Sequence, residues 1–224
     1  MSDNFSEISN DSTTSDYIVN VNTNKKNSFK NENLISGKNN STSKNVFTKL
    51  DYYDKYFSNY IHEMEVNIWL ERIIYIFARI FNSDLIIVFY ILLFLYQYFI
   101  NDKIFFVLKP LIHVFTVFIL TGVLKYTIKR PRPEINERVR RRYNVRKKEK
   151  NFSMPSGDSM QAGNFAVVIL LYFESYYGFI IVPFVMFARI FYFCHYLLDT
   201  IVGVFIGTSI SLFMGYLLKL IKIH

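Results

Sequence analysis

The sequence predicts an all-α membrane protein, a polytopic helical bundle with about five transmembrane helices and one interfacial amphipathic helix. Half of the residues are apolar (51%), and they collect into long blocks after about residue 68. The blocks lack both the strict alternation of strands and the spaced apolar positions of soluble helices. Because backbone groups in lipid must be paired within the chain, we expect each block to be a helix.

The first part of the chain has a different composition. Residues 1–48 are mostly Asn, Ser, Thr, Asp and Lys, and such a segment buries too little apolar surface to offset the entropy lost on folding. We therefore expect a disordered tail over residues 1–48 and a membrane-embedded domain over residues 49–224. No secretory signal peptide is predicted, because no basic segment precedes an apolar core and cleavage site. Cys194 is the only cysteine, which excludes an intramolecular disulfide bond.

Residues 61–81 are predicted to form the interfacial helix. Glu65, Arg72 and Arg79 recur every seven residues and mark one stripe. The other side is apolar and carries Ile68, Trp69, Ile73, Ile76, Phe77 and Ile80. A charge at the bilayer centre costs about 2.5–3.5 kcal/mol on insertion scales. This segment therefore suits the membrane surface better than a crossing.

Five apolar blocks follow and are predicted to cross the bilayer, although the first is a little short for about 20 residues of crossing. They cover residues 85–100, 104–124, 159–173, 177–193 and 197–220. Residues 101–103 form a tight reversal between the first two blocks. Lys109 stands near one end of the second block, where its side chain can reach the interface.

The charge of the chain is concentrated in one loop. Between Lys125 and Asn151 lie twelve Lys or Arg and three Glu, a net charge of +9, which exceeds the +8 of the whole chain. A basic loop between two apolar blocks indicates lipid headgroups or phosphate rather than nucleic acid. For residues 138–150 we favour headgroup contact and a topology signal. With residues 61–81 at the surface, the loop stays in the cytoplasm, so five spans and a cytoplasm-facing site are predicted.

Three polar clusters stand at the ends of the predicted spans. The first runs from Lys125 to Arg132, and the second is Pro-Ser-Gly-Asp at residues 155–158. The third lies at the junction of the fourth and fifth spans and holds Arg189, His195 and Asp199. The predicted topology puts all three clusters on the same face of the membrane. We therefore expect them to form one site.

The cations and small residues of these clusters suit a phosphate group. Lys125, Arg132 and Arg189 can neutralise phosphate oxygens, and a guanidinium does so with paired hydrogen bonds. Ser156 and Gly157 precede a predicted helix, whose N–H groups and dipole attract anions. These five residues are the predicted phosphate-binding set.

His195 and Asp199 suit the chemistry of phosphoryl transfer. They stand four residues apart, which places them on one face of a helix. Asp199 can then accept from one ring nitrogen and leave the other free to attack phosphorus. No Asp/Glu cluster with metal-ligand spacing stands near these residues, so the site is expected to use no metal and no cofactor.

These motifs resemble those of the type 2 phosphatidic acid phosphatase superfamily, whose signature is K-x6-R-P, then P-S-G-H, then S-R-x5-H-x3-D. The matching residues are Lys125, Arg132, Pro133, Pro155, Ser156, Gly157, Arg189, His195 and Asp199. The resemblance covers residues 60–220 and implies hydrolysis of a lipid phosphate through a phosphohistidine at His195. Within the family the chain is most similar to small phosphatases of presqualene and other polyisoprenoid diphosphates.

Two positions depart from the signature. Ala188 replaces its Ser, and Asp158 replaces the His that the family uses to protonate the leaving alcohol. A protonated Asp158 can serve as the general acid, because a nearby phosphate raises the pKa of a carboxyl group. His113 is no substitute, since it lies twelve residues before Lys125 on the same helix, about 18 Å away. The alternative is a catalytically degenerate protein that binds lipid phosphates without turnover.

The expected partners follow from this interpretation. They are membrane lipid and a lipid phosphate substrate, with no nucleic acid. A transporter is disfavoured, because no span has a Gly/Pro-broken centre paired with a repeat. The expected location is multi-pass in a membrane, with the endoplasmic reticulum or nuclear envelope as candidate organelles.

Overall fold

The computed structural model describes residues 41–82, 85–86, 88, 91–92, 95, 99, 104–136 and 138–221. Six α-helices have both ends in this part of the chain, and no strand occurs among its residues. The predicted all-α fold is therefore confirmed. Lys49–His224 forms one compact unit. Most of the predicted tail, residues 1–40, lies outside the described residues.

Helix α1, Ser41–His62, was not predicted, and it begins inside the segment expected to be disordered. Helix α2 covers Ile68–Arg79, so the helix predicted over residues 61–81 is two helices with a break between them. The break has a local cause: the Asn67 side chain accepts a hydrogen bond from Leu70 N at 2.9 Å and caps α2. Such a cap satisfies a donor that a continuous helix would pair internally.

One side of α2 packs on the rest of the chain. Its buried residues are Glu71, Ile74 and Ala78, and the Glu71 carboxylate accepts from Arg142 N at 2.8 Å. The opposite side is apolar and open, since Trp69 is 68% exposed. An amphipathic helix with its apolar side outward fits the predicted position at a membrane surface.

Four helices coincide with four of the predicted spans. They are α3 (Ile104–Ile128), α4 (Gly157–Phe173), α5 (Gly178–Phe191) and α6 (Leu197–Leu220). Among the described residues, Leu108–Ile128 and Leu197–Leu220 are long and apolar enough to cross a membrane. The block at residues 85–100 lies largely outside the described residues, so the number of spans stays a prediction.

Glycines let α4 and α6 approach closely. A Cβ at Gly207 would lie 2.1 Å from the carbonyl oxygen of Met160, and a Cβ at Gly203 would lie 2.7 Å from that of Ser156. Small residues at helix contacts allow the backbones of membrane helices to meet in this way. As a result, the start of α4 lies against the first turn of α6, where two of the polar clusters stand.

A group of hydrogen-bonded polar side chains is buried within the bundle, whose outer surface is apolar. Ser211 donates to Asn164 at 2.5 Å, and Asn164 donates to Gln161 at 3.2 Å. On the outer surface Ile119 is 69% exposed and Phe205 is 70% exposed. Exposed apolar side chains over a helical bundle are what a lipid-facing surface requires.

The basic loop between α3 and α4 packs on α1, on α2 and on the residues between them. Arg141 donates to the carbonyls of His62 and Met64 at 2.5 and 2.8 Å, and its guanidinium lies 3.5 Å from the centre of the Phe191 ring. The expectation of headgroup contact therefore does not hold for Arg141, which anchors the loop. Arg138, Arg140 and Lys147 are exposed.

Candidate active site

Two backbone hydrogen bonds hold the three polar clusters together. Ser153 N donates to Arg130 O at 2.8 Å, and Ser156 N donates to Asp199 O at 3.0 Å. The third cluster begins on α5 with Arg189 and continues beyond a tight turn at the end of that helix. There Phe193 has a left-handed φ of 57°, and Cys194 N donates to Arg189 O at 3.1 Å. This end directs the next residue, the predicted nucleophile, back toward the bundle.

Lys125 and Arg132 meet at Asn151. Lys125 Nζ donates to Asn151 Oδ1 at 3.0 Å, and Arg132 Nη2 donates to the same oxygen at 2.5 Å. Arg132 Nε also donates to the Asn151 carbonyl at 2.6 Å. Lys125 is at the last turn of α3, and both cations are buried. The first predicted motif therefore forms one cationic group.

Arg132 and Arg189 are joined by a carboxylate that sequence analysis missed. Glu149 accepts from Arg132 Nη2 at 2.8 Å, and its other oxygen accepts from Arg189 Nη2. Arg189 Nη1 lies 2.7 Å from Asp158, but without hydrogen-bond alignment. Paired guanidinium groups around one carboxylate have the geometry by which arginines grip phosphate. Glu149 thus takes the place where the two arginines would bind phosphate oxygens.

His195 is buried, with 1% exposure, and its two ring nitrogens face different groups. Nε2 lies 3.3 Å from Arg132 Nη1. Nδ1 lies 3.5 Å from Ser153 Oγ and 3.8 Å from Asp199 Oδ2. Because a guanidinium can only donate, Nε2 must accept, and in the neutral ring the proton sits on Nδ1. The lone pair of Nε2 therefore points to the cationic side of the site.

The predicted contact between His195 and Asp199 needs correction in two respects. His195 does not lie on a helix, because α6 begins at Leu197, so the two residues do not share a helical face. The 3.8 Å separation also exceeds a hydrogen bond. Ser153 bridges them: its hydroxyl donates to Asp199 Oδ2 and lies beside Nδ1 of His195. Asp199 is also held by Arg130 Nη1 at 2.7 Å.

Ser156 and Gly157 stand at the start of α4, as predicted, but Ser156 is not open to an anion. Its N–H donates to Asp199 O at 3.0 Å, and its hydroxyl accepts from Ser159 Oγ at 2.9 Å. Ser156 is fully buried as the N-cap of α4. It therefore ties α4 to α6, and the expectation that its N–H binds phosphate is not met in this arrangement. Gly157 lines the cavity described below.

Burial and charge shift the pKa values of groups in the loops of the site. Burial and the charges of Arg132 and Arg189 together lower the pKa of His195 to about 3, although Asp199 opposes the shift. Burial opposes the ionisation of Glu149, but Arg189 and Arg132 overcome it and lower its pKa to about 2. At neutral pH His195 is thus a neutral base and Glu149 is an anion.

A cavity of about 410 Å³ opens beside these groups. Its polar end is lined by Lys125, Glu149, Asn151, Gly157 and Asp158. Its other end reaches along α3 and α4 and has a mixed lining of apolar and polar residues, namely Phe81, Asn82, Phe118, Thr121, Gly122 and Gln161. A cavity with a charged end and an end that presents the rings of Phe81 and Phe118 fits a molecule with an anionic head and an apolar body.

The sequence carried weak signals for the residues that were missed. Arg130 lies inside the first motif and was counted only as loop charge. Ser153 stands two residues before the second motif, and Glu149 and Asn151 flank the end of the basic loop. These residues reach the site only through contacts that are distant in sequence, which no spacing rule reveals.

The geometry agrees with the family model that matches the sequence, that of the PAP2 superfamily, over residues 106–221. The chain belongs to the PAP2 superfamily. The match includes all three motifs, and α1 and α2 precede it. A comparison with curated proteins gives no match.

Two solved structures have the fold of this PAP2 protein. One is a transmembrane PAP2-type phosphatidylglycerolphosphate phosphatase from Bacillus subtilis, with a TM-score of 0.63 and 20% identity over 78% of this chain and 89% of that chain. The other is LpxE from Aquifex aeolicus, with a TM-score of 0.53 and 25% identity over 70% of this chain and 92% of that chain. These likenesses agree with the all-helical membrane bundle.

Proposed function

We propose that this PAP2 protein is an integral membrane phosphatase that hydrolyses lipid phosphate or isoprenyl diphosphate monoesters through a phosphohistidine intermediate, without a metal ion. The observation that carries the proposal is the orientation of His195. Its Nε2 faces Arg132 at 3.3 Å, while Nδ1 faces Ser153 and Asp199. A neutral imidazole held in this way presents a lone pair to an anion bound by the cations.

The reaction begins with attack of His195 Nε2 on phosphorus. The N–P bond forms as the ester P–O bond breaks, and Lys125, Arg132 and Arg189 neutralise the phosphoryl oxygens. Asp199 stabilises the imidazolium that forms. Positive charge supplied by side chains performs the task that a metal performs in other phosphatases.

Asp158 is the proposed general acid. In its protonated form it gives its proton to the leaving alcohol oxygen. The resulting carboxylate then accepts a proton from water as the water attacks the phosphohistidine, which releases inorganic phosphate and restores neutral His195. Asp158 lines the cavity beside Lys125, within reach of a group bound there.

The two-ended cavity supports a lipid substrate. Its charged end suits the phosphate, and the side chains of Phe81 and Phe118 suit the apolar body of the lipid. The structural likeness to a phosphatidylglycerolphosphate phosphatase adds support for a lipid ester. An isoprenyl diphosphate has the same charged-and-apolar character.

The contact between Asp158 and Arg189 favours the second candidate function, a degenerate protein that binds lipid phosphates. When Asp158 is ionised, its carboxylate forms an ion pair with the buried guanidinium of Arg189, 2.7 Å away. An anion there cannot donate a proton and repels the phosphate. Binding without turnover is the consequence if the ion pair persists with lipid bound.

One assay series separates these functions. The purified full-length protein is given phosphatidate and isoprenyl diphosphates in mixed micelles, and released phosphate is measured for the wild type and for His195→Ala. Turnover by the wild type alone, with acid-labile radiolabel trapped on His195, supports the phosphatase. Binding of these lipids with no phosphate release by either protein supports the degenerate binding protein and overturns the enzyme.

A further inference from the structure

Arg130 is the centre of a charge cluster that lies behind the nucleophile. Its Nη1 donates to Asp199 Oδ1 at 2.7 Å, and its Nη2 donates to Asp54 Oδ2 at 2.6 Å and Asp51 Oδ1 at 2.9 Å. The guanidinium also lies 4.5 Å from the centre of the Tyr196 ring. Arg130 thus links α1 to the carboxylate that faces His195.

Asp54 also supports the region around Asp199 through a contact with the backbone of α6. Its side chain is fully buried, and its Oδ1 accepts from the backbone N–H of Leu198 at 2.7 Å. Ser58, one turn later on α1, accepts from Leu197 N at 2.8 Å. These N–H groups belong to the unpaired first turn of α6. One carboxylate therefore holds both the guanidinium that grips Asp199 and the backbone beside Asp199.

The partner of each Asp199 oxygen determines which oxygen faces His195. Asp199 Oδ1 is held by Arg130, which leaves Oδ2 for Ser153 and for the face of His195 Nδ1. If the Arg130 bond is lost, Oδ1 loses this partner and the carboxylate is held through Oδ2 alone, by Ser153 and by Tyr196 N at 2.8 Å, so it can turn about that oxygen. Misplacement of a catalytic group by about 1 Å can cost about 100-fold in rate.

Helix α1 lies outside the region that matches the family, which begins at residue 106. We infer that α1 completes the site: Asp54, acting through Arg130, positions Asp199 and thereby His195 for attack. Arg130 and Asp54 are positioning residues, since they touch Asp199 or Arg130 and not the phosphate. This inference rests on the proposed function and names two residues that serve it.

The experiment uses full-length protein purified in micelles and measures kcat and KM with one substrate from the series above. Arg130→Lys keeps the charge but removes the two-armed guanidinium, and we expect kcat to fall about 10- to 100-fold with KM within about twofold. Asp54→Asn should lower kcat by about 10-fold. The double variant should resemble Arg130→Lys alone rather than the product of the two losses, because both residues act on one carboxylate.

Two variants serve as comparisons. Asp51 contacts the same guanidinium but its side chain is 47% exposed, so Asp51→Asn should lose less activity than Asp54→Asn. Arg140→Lys makes the same chemical change in the exposed part of the basic loop and should leave kcat unchanged. Thermal unfolding of each variant shows whether it is folded.

A second readout does not need turnover. The ¹⁵N signals of the His195 ring, assigned by comparison with His195→Ala, should show a proton on Nδ1 in the wild type, and the Nδ1 signal should shift in Arg130→Lys because the Asp199 carboxylate that faces it has turned. A wild type that never releases phosphate ends the proposed function, and the ring signals still test the positioning. Folded Arg130→Lys with unchanged ring signals overturns the inference, as does a kcat loss equalled by Arg140→Lys.

Discussion

The carboxylate of Glu149 accepts a hydrogen bond from Arg132 at 2.8 Å, and its second oxygen is held by Arg189. In the proposed reaction a substrate phosphate needs the same two guanidinium groups, so it would compete with Glu149 for them. The loop that carries Glu149 also carries Asn151, which occupies Lys125 and Arg132. Access to the cations therefore requires this segment to move or to exchange its bonds for bonds to phosphate.

Glu149→Gln is expected to bind inorganic phosphate more tightly. The amide keeps the shape of the side chain but has no charge, so phosphate displaces it more easily. We expect the inhibition constant of inorganic phosphate to fall about tenfold, equivalent to about 1.4 kcal/mol. Phosphate inhibition of lipid turnover measures this, with Glu134→Gln as the exposed control. Equal inhibition constants in Glu149→Gln and wild type would show that Glu149 does not compete.

His195→Ala is expected to abolish turnover, and Asp199→Asn to reduce it strongly. Removing a nucleophile that acts with its partners costs at least about 1,000-fold in kcat. Lys125, Arg132 and Arg189 should each affect both KM and kcat, because they hold the ground state and the transition state. Phosphate release is the measurement, and Lys147→Gln in the exposed loop is the control. Near wild-type release by His195→Ala would end the mechanism.

Asp158→Asn tests the general acid. An amide cannot protonate the leaving alcohol, so we expect kcat to fall about 100-fold for alkyl esters and far less for an aryl phosphate, whose leaving group needs no proton. Asp158→His should keep or raise activity, because it supplies the acid of the family signature. Equal rates of Asp158→Asn and wild type on both ester classes would remove Asp158 from the mechanism.

Turnover is expected to persist in excess chelator. The proposed phosphate site consists of Lys125, Arg132 and Arg189, whose charges would neutralise the phosphoryl oxygens directly. Phosphate release is compared in chelator, in magnesium and in buffer alone, with a metal-dependent phosphatase as the control for chelation. Complete loss in chelator with recovery in magnesium would contradict the metal-free mechanism.

The free energy of unfolding is expected to fall in acid because of two buried groups. The folded pKa is about 3 for His195 and about 2 for Glu149, against ordinary values of 6.5 and 4.5. Both folded values are depressed, so the unfolded chain binds more protons and stability present at neutral pH is lost as pH falls. The loss runs from pH 6.5 to about 3 for His195 and from pH 4.5 to about 2 for Glu149.

Thermal unfolding followed by circular dichroism across this range measures the effect. Glu149→Gln should flatten the dependence below pH 4.5 only, and His195→Ala should flatten the upper part. Identical profiles for both variants and the wild type would mean that these groups keep ordinary pKa values in the folded protein.

Much of the site was predictable because its residues stand at the ends of apolar blocks. Lys125, Arg132, Arg189, His195 and Asp199 were identified by residue type and spacing, and their segments do meet. What failed were assumptions of local regularity: α2 does not run over residues 61–81, and His195 precedes α6 rather than lying on it. In both cases a capping contact at the N-terminus makes the helix begin later than periodicity alone predicts.

The sequence by itself determined the helical character, the boundaries of α4 to α6 within two residues, and the cations and histidine of the site. Hydropathy controls the helical character and the boundaries, because each apolar segment must satisfy its own backbone in lipid. Only the tertiary structure decided that Glu149 lies between two arginines, that Ser153 bridges His195 and Asp199, and that Asp54 of α1 supports Arg130. These contacts join positions up to 76 residues apart, and they form because buried charges and hydroxyls must find partners wherever the packing of the helices brings them together.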